Sequence, residues 1–262
     1  MVAPRVGPST LALAPFPKGA RSGTAYHAVL EHLDFGAADT DEARAQVVSV
    51  LTEHGFTDPL EHAAVQRSVV ELCGTPLGDG APRLADVARH ERLDELDFTL
   101  PAGVAVSPFT AGRLADVFER HLPPHLAGPV SQRMRALSFN PLYGALKGFV
   151  DLAFRHDGRW WLVDYKTNHL GDALEDYGAA SVDRAMIGGD YVLQYHLYAV
   201  ALARFLRTRV PGFDWDTSFG GVRYLFVRGC TPDTGPTRGV FADRPSQEMI
   251  TALDAALRGE VP

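Results

Sequence analysis

The 262-residue chain is 46% hydrophobic and 22% charged with a formal net charge of −7, the composition of a soluble globular protein with room for one large domain or two small ones. No run of about 18 apolar residues is present, so a membrane-spanning helix is not expected. Two cysteines, Cys73 and Cys230, cannot build a four-cysteine zinc or iron–sulfur site, and a reducing cytoplasmic setting is the expectation. The acidic balance argues at first sight against a nucleic-acid partner.

In chain order, residues 1–22 are rich in Pro, Ala and Gly and read as a tether; they lack the basic-then-apolar order of a leader. One folded domain is expected over residues 23–262. Thr24 is expected to cap a short helix, "AYHAVLEHLDF", with Tyr26, Val29, Leu30 and Leu33 on its apolar side. Further helical stretches occupy residues 41–72, broken at Gly55 and Pro59. Residues 95–106, "ELDFTLPAGVAV", alternate as a strand, and residues 109–122 read as a helix closed by Pro123 and Pro124. Residues 146–167 read as a β-hairpin, 191–210 as a long helix apolar on nearly every side and therefore buried, and 220–230 as a core strand. Strands mixed with helices give an α/β or α+β domain.

The hairpin carries the chemistry. Asp157-Gly158 between two β-rich runs predicts a two-residue type I′ turn. Paired positions then sum to 315, so Phe154 faces Trp161 and Asp151 faces Asp164. The two carboxylates fall on one face, about 5 Å apart at Cβ, and strand periodicity adds Lys166 to that face. The other face, with Val150, Leu152, Phe154, Trp161, Val163 and Tyr165, reads as core. Like charges directly opposite destabilise a strand pair. A hard divalent cation would supply the missing charge: magnesium favours carboxylate oxygen and is commonly held by one or two carboxylates plus substrate phosphate. It can polarise a phosphodiester and acidify a water, and an ammonium from Lys166 could orient that water or neutralise developing charge. A shared proton, or an Asp151–Lys166 ion pair without chemistry, is the alternative.

These residues carry a resemblance. The D-x12-D-Y-K hairpin resembles the core of the PD-(D/E)XK nucleases, which implies a restriction-endonuclease-like α/β fold with a central mixed β-sheet flanked by α-helices. "GTAYHAVLEHLDF", "DELDFTLP", "LKGFVDLAFRHDGRWWLVDYKTNHLG", "YVLQYHLYAVALARFLRTR" and "FGGVRYLFVRG" are together similar to the C-terminal nuclease domains of the RecB family, the beta subunits of RecBCD-type exonuclease V. The resemblance implies that Asp151 and Asp164 bind metal, that the backbone carbonyl of Tyr165 is a further ligand, and that Lys166 is the catalytic lysine. It also implies that His27 completes the metal site; read alone, His27 is a partly buried helix histidine. Glu31, one turn on, could orient His27 or join a surface pair. Glu95 matches an acidic active-site position, with a plain strand-end charge as its alternative. Gln194 and Tyr198 share one helix face and would aim at DNA or at the lysine, or else be satisfied core polar groups. Thr167 and His169 stand where the family usually carries serine and tryptophan.

The charge objection is met locally. Residues 129–169 hold Arg133, Arg135, Lys147, Arg155, Arg159 and Lys166 against Asp151, Asp157 and Asp164, and Arg133, Arg135, Lys147 and Arg159 are expected to hold DNA phosphates. The expectation is a magnesium-dependent DNA nuclease that prefers single strands. No G-x-x-x-x-G-K-[ST] loop is present. Unwinding would fall to a helicase module upstream in a parent protein or to other subunits of a RecBCD-type complex, with a recombinase as a further partner. A separately encoded repair or defence nuclease and a non-catalytic recombinase-docking module are the alternatives; the paired carboxylates argue against pure docking.

Overall fold

The hairpin forms as its turn chemistry dictates. In the computed structural model, which describes residues 11–103, 109–137 and 144–260, β2 (Gly144–His156) pairs antiparallel with β3 (Arg159–Lys166). The register runs from His156 opposite Arg159 to Leu152 opposite Val163, as the sum of 315 requires. Asp157 and Gly158 take φ of 47° and 77°, the left-handed pair of a type I′ turn. β1 (Arg92–Ala102), β4 (Phe219–Phe226) and β5 (Val240–Asp243) complete a five-stranded mixed sheet in the order β1-β2-β3-β4-β5, flanked by helices. This is the restriction-endonuclease-like α/β architecture. Positions 104–106 of the strand expected over 95–106 lie outside the described residues.

The chain folds as two compact units, each drawn from separated segments. The first comprises Met1–Glu95, Asp151–Asp183 and Val222–Ala242. Its helices α1 (Ala20–His32), α2 (Asp41–Glu53) and α3 (Pro59–Gly74) start where capping chemistry allows. Thr40 accepts from Ala43 N–H before α2, and Asp58 accepts from Leu60 N–H before α3, with Pro59 in the first turn. Their apolar faces join Leu152, Phe154, Trp161, Val163 and Tyr165 in one core. This is the face of the hairpin expected to be buried.

Two expectations near the N-terminus change. Leu13 and Phe16, inside the stretch read as a tether, are buried in this core. Arg228 explains why: its buried guanidinium donates to the carbonyls of Leu13, Phe16 and Pro17 at 2.7, 3.2 and 2.9 Å, and to Thr167 at 3.1 Å. Helix α1 also begins earlier than expected, at Ala20 after Gly19, and Thr24 is an interior residue whose Oγ1 donates back to Ala20 O at 3.2 Å. Gly23 lets the helix lie close to the end of β3, because a Cβ there would sit 3.0 Å from Thr167 Oγ1.

The second unit comprises Leu96–Val150, Arg184–Gly221 and Asp243–Pro262. Helix α4 (Ala111–His121) buries Leu114, Ala115, Val117 and Phe118. Pro124, read as a stop, instead opens a new helix, α5 (Pro124–Arg135), since a proline lacks only an N–H that the first turn does not use. Helix α6 (Ala179–Gly188) precedes α7 (Tyr191–Arg209), which is mostly buried as expected; α8 (Trp215–Ser218) and α9 (Gln247–Leu257) follow. Strand β4 ends at Phe226, four residues before the expected limit, where a single 3-10 turn over Val227–Gly229 points Arg228 inward.

Candidate active site

Three elements of the first unit converge. Helix α1 brings His27, β1 brings Glu95 and β2 brings Asp151, with one ligand atom of each within 4.8 Å of the others. They line an open cleft of about 460 Å³ together with Thr24 and Glu31. Tyr165, on β3, fixes two of them through its backbone. Its N–H donates to Asp151 Oδ2 at 2.8 Å, and its carbonyl lies 2.9 Å from His27 Nε2. A carbonyl only accepts, so Nε2 carries the proton and Nδ1 faces Asp151 Oδ2 at 3.5 Å. Burial alone would lower the His27 pKa, but the Asp151 carboxylate outweighs it and holds the ring above its ordinary value.

Asp164 lies behind this group, 1% exposed, and is not one of the three grouped ligands. Burial and the Asp151 charge push its carboxyl up to about 7, against the pull of Lys166. The Lys166 ammonium stands 2.6 Å from Asp164 Oδ2 and 5.1 Å from the centre of the Tyr224 ring. Lys166 is thus ion-paired with Asp164.

Glu95 is held in an unusual way. Its φ is 49°, a left-handed conformation inside a strand. Burial and then the Asp151 charge raise its carboxyl. Just before it, the buried Arg92 pairs with Asp94, donates to Leu33 O at 2.9 Å and Leu30 O at 3.3 Å, and stacks over Phe35. Arg89 donates to Glu31 O at 2.7 Å and approaches Asp94 at 3.5 Å. Two arginines therefore satisfy the open carbonyls at the end of α1 and tie that helix to β1. Sequence reading missed this clamp; its signal is the Arg92-x-Asp94 alternation immediately before Glu95. The Glu31 carboxylate makes no hydrogen bond to His27 among the described residues.

The other expected residues divide by unit. In the second, Gln194 Nε2 donates to Tyr198 Oη at 2.7 Å, and the Tyr198 ring meets Phe98 edge-on at 5.6 Å. Arg133 is bidentate to Asp190, at 2.7 and 2.9 Å, and Arg135 pairs with Asp116 and Glu119. Lys147 and, in the first unit, Arg159 are exposed and make no ion pair among the described residues. No helix among those residues is long and apolar enough to cross a membrane.

His27, Glu95 and Asp151 line one cleft on the sheet, and the buried Asp164–Lys166 pair lies on β3. The sequence pattern of the PD-(D/E)XK nuclease superfamily matches residues 12–260, and the chain belongs to that superfamily. It is similar to the RecBCD enzyme subunit RecB of Escherichia coli (strain K12), 34% identical over 258 residues, which cover 98% of this chain and 21% of that protein. The Haemophilus influenzae RecBCD enzyme subunit RecB is 35% identical over 91% of this chain and 18% of its own length. That of Mycobacterium tuberculosis (strain H37Rv) is 39% identical over 95% of this chain and 24% of its own length. The chain thus spans about a fifth to a quarter of these relatives. The superfamily is divalent-metal dependent, and the mixed nitrogen and oxygen donors of His27, Glu95 and Asp151 fit such an ion.

Proposed function

We propose that the chain is a magnesium-dependent DNA nuclease that hydrolyses phosphodiester bonds, prefers single strands and serves as the nuclease module of a RecBCD-type complex. The observation that carries this reading is the convergence of His27, Glu95 and Asp151, whose ligand atoms lie within 4.8 Å of one another. Burial and the Asp151 charge raise both Glu95 and Asp164, and a hard divalent cation is the counter-charge such carboxylates take. His27, Asp151, Asp164, the Tyr165 carbonyl and Glu95 are the groups that would hold it. When bound, magnesium would polarise the phosphodiester and lower the pKa of a water.

The chain's own groups supply the rest. The Tyr165 backbone keeps Asp151 and His27 in place from one residue, through its N–H and its carbonyl, so neither side chain has to search for its position. Lys166 offers an ammonium to charge that develops on the phosphate. Lys147 and Arg159 are the first phosphate contacts; Arg133 and Arg135 would have to exchange their carboxylate partners for phosphate. Gln194 and Tyr198 are further candidates for contact with the strand. A helicase module, other subunits of a RecBCD-type complex and a recombinase are the partners this reading implies, in the cytoplasm, and the names of the relatives support it.

The test is cleavage of end-labelled single-stranded and duplex oligodeoxynucleotides. Asp164→Asn and Lys166→Ala should each lower the magnesium-dependent rate by about 100-fold or more while the melt stays near that of the wild type, because an Asp164 already raised to about 7 can take a proton when its partner goes. The wild-type chain should favour the single strand. Its log affinity should fall with log salt at a slope of about −2 to −3. Brisk cleavage by either variant would remove the assignment.

A further inference from the structure

Among the described residues, two large apolar side chains stand exposed, Leu60 at 69% and Phe149 at 59%. A lone surface leucine in the first turn of α3 needs no explanation. Phe149 is different, because of where it stands along its own strand. In β2 it comes two residues after Lys147 and two before Asp151, and the period of two sets all three on one face. Neighbours on that face are separated by about 6.6 Å along the strand, a length comparable with one nucleotide of extended backbone. Residues 145, 147 and 149 are exposed, 146 and 148 are half-buried and Val150 is buried, so the ring stands on the open side of the strand.

The strand beneath the ring is supported. Phe98 packs so closely on Gly148 that a Cβ there would lie 2.7 Å from its ring, and Phe98 in turn meets Tyr198. Phe149 therefore projects from a backed strand rather than from a loop, which is how a recognition group is kept in position. A protein partner would need a wider apolar patch, whereas along the strand the exposed neighbours among the described residues are Ala145 and Lys147. One exposed ring beside one cation suits a different ligand: a base on the ring face with its phosphate on the ammonium. Bases inside a duplex are covered by their neighbours on both sides. Only an unpaired base presents a free face.

We propose that Phe149 is a stacking platform for an unpaired base of the DNA strand, with Lys147 on the adjoining phosphate. The inference deepens the nuclease reading and rests on it. It gives that reading a physical source of strand preference: the ring selects single-stranded DNA by the availability of a base face and is indifferent to sequence. The covalent chemistry is unchanged.

The experiment compares the full chain with Phe149→Ala, Phe149→Leu and Phe149→Trp. Initial rates are measured on single-stranded and duplex oligodeoxynucleotides with magnesium, and the quenching of a 2-aminopurine oligodeoxynucleotide is followed without metal. Because the side chain is exposed, all three variants should melt with the wild type. Phe149→Ala and Phe149→Leu should raise KM on the single strand about tenfold, with kcat changed by less than about twofold. Both should lose the quenching, and Phe149→Trp should restore both readouts. Duplex rates should not move. An alanine variant with wild-type KM and quenching would overturn the inference alone. So would a leucine variant as good as phenylalanine, since that contact would be apolar rather than stacked. A wild-type chain that neither binds nor cleaves the oligodeoxynucleotides would overturn the nuclease reading itself, and this inference with it.

Discussion

Glu95 is where backbone ease and side-chain placement conflict. A non-glycine residue at φ 49° inside a strand is strained by about 1 kcal/mol or more, and its carboxylate is also held against the charge of Asp151. The Arg92–Asp94 pair, fastened to the end of α1, keeps it there. Asparagine tolerates the left-handed region and carries no charge. Glu95→Asn should therefore stabilise the metal-free chain by about 1 kcal/mol in thermal melts while weakening manganese binding by about tenfold or more in calorimetry. A variant that is both less stable and equally avid for metal would show that Glu95 is a structural residue. Only the Arg92–Asp94 half of the clamp leaves a signal in the sequence, because Arg92 also reaches the carbonyls of Leu30 and Leu33, some sixty positions earlier. The strand positions of Asp151, Asp164 and Lys166 were legible because one short turn fixes the register of the hairpin.

At the scale of elements, local chemistry explains what was legible and what was not. The hairpin register followed from Asp157-Gly158 alone, since a type I′ turn leaves no freedom in the pairing. Gly158 takes φ 77° and a Cβ there would meet nothing, so Gly158→Ala isolates the conformational cost. It should destabilise by about 1 kcal/mol in urea titrations, with cleavage unchanged per folded molecule; no loss of stability would mean that the turn is not type I′. Helix α1 was misjudged because Thr24, a good cap, is spent on a backward bond to Ala20. Helix α5 was missed because Pro124 stops one helix and starts the next. The exposure of Phe149 was hidden for another reason: the period of two puts it on the face of Asp151, opposite Val150 and Leu152, but Ala153 on that same face is buried, so the face alone does not tell exposure.

For the molecule as a whole, the charge of −7 is not relieved by Arg133 and Arg135, which are already committed to carboxylates. Stability should also depend on acidity through a residue with no proposed role in catalysis. His196 is buried between Tyr195 and Phe118, donates from Nδ1 to Val192 O at 2.7 Å, and leaves Nε2 without a hydrogen bond among the described residues. Burial lowers its pKa to about 4. The folded chain thus keeps the ring neutral while the unfolded chain protonates it below about 6.5, so the unfolded state binds more protons between those values. This contribution is fully present above pH 6.5 and is lost as pH falls toward 4, by about 3 kcal/mol in total. Urea midpoints of the wild type and His196→Leu, measured from pH 7 to 4, should converge by that amount. A constant difference between them would show that the ring is already charged in the folded state.

The Arg228 guanidinium has a mechanical meaning. It grips the backbone at Leu13, Phe16 and Pro17 and also at Thr167, the residue that follows Lys166. A pull on the chain ahead of Leu13 is therefore shared by the buried Leu13 and Phe16 and by this side chain, which passes part of it to Thr167 at the end of β3. Arg228 thus couples load on that segment to the strand that carries the lysine.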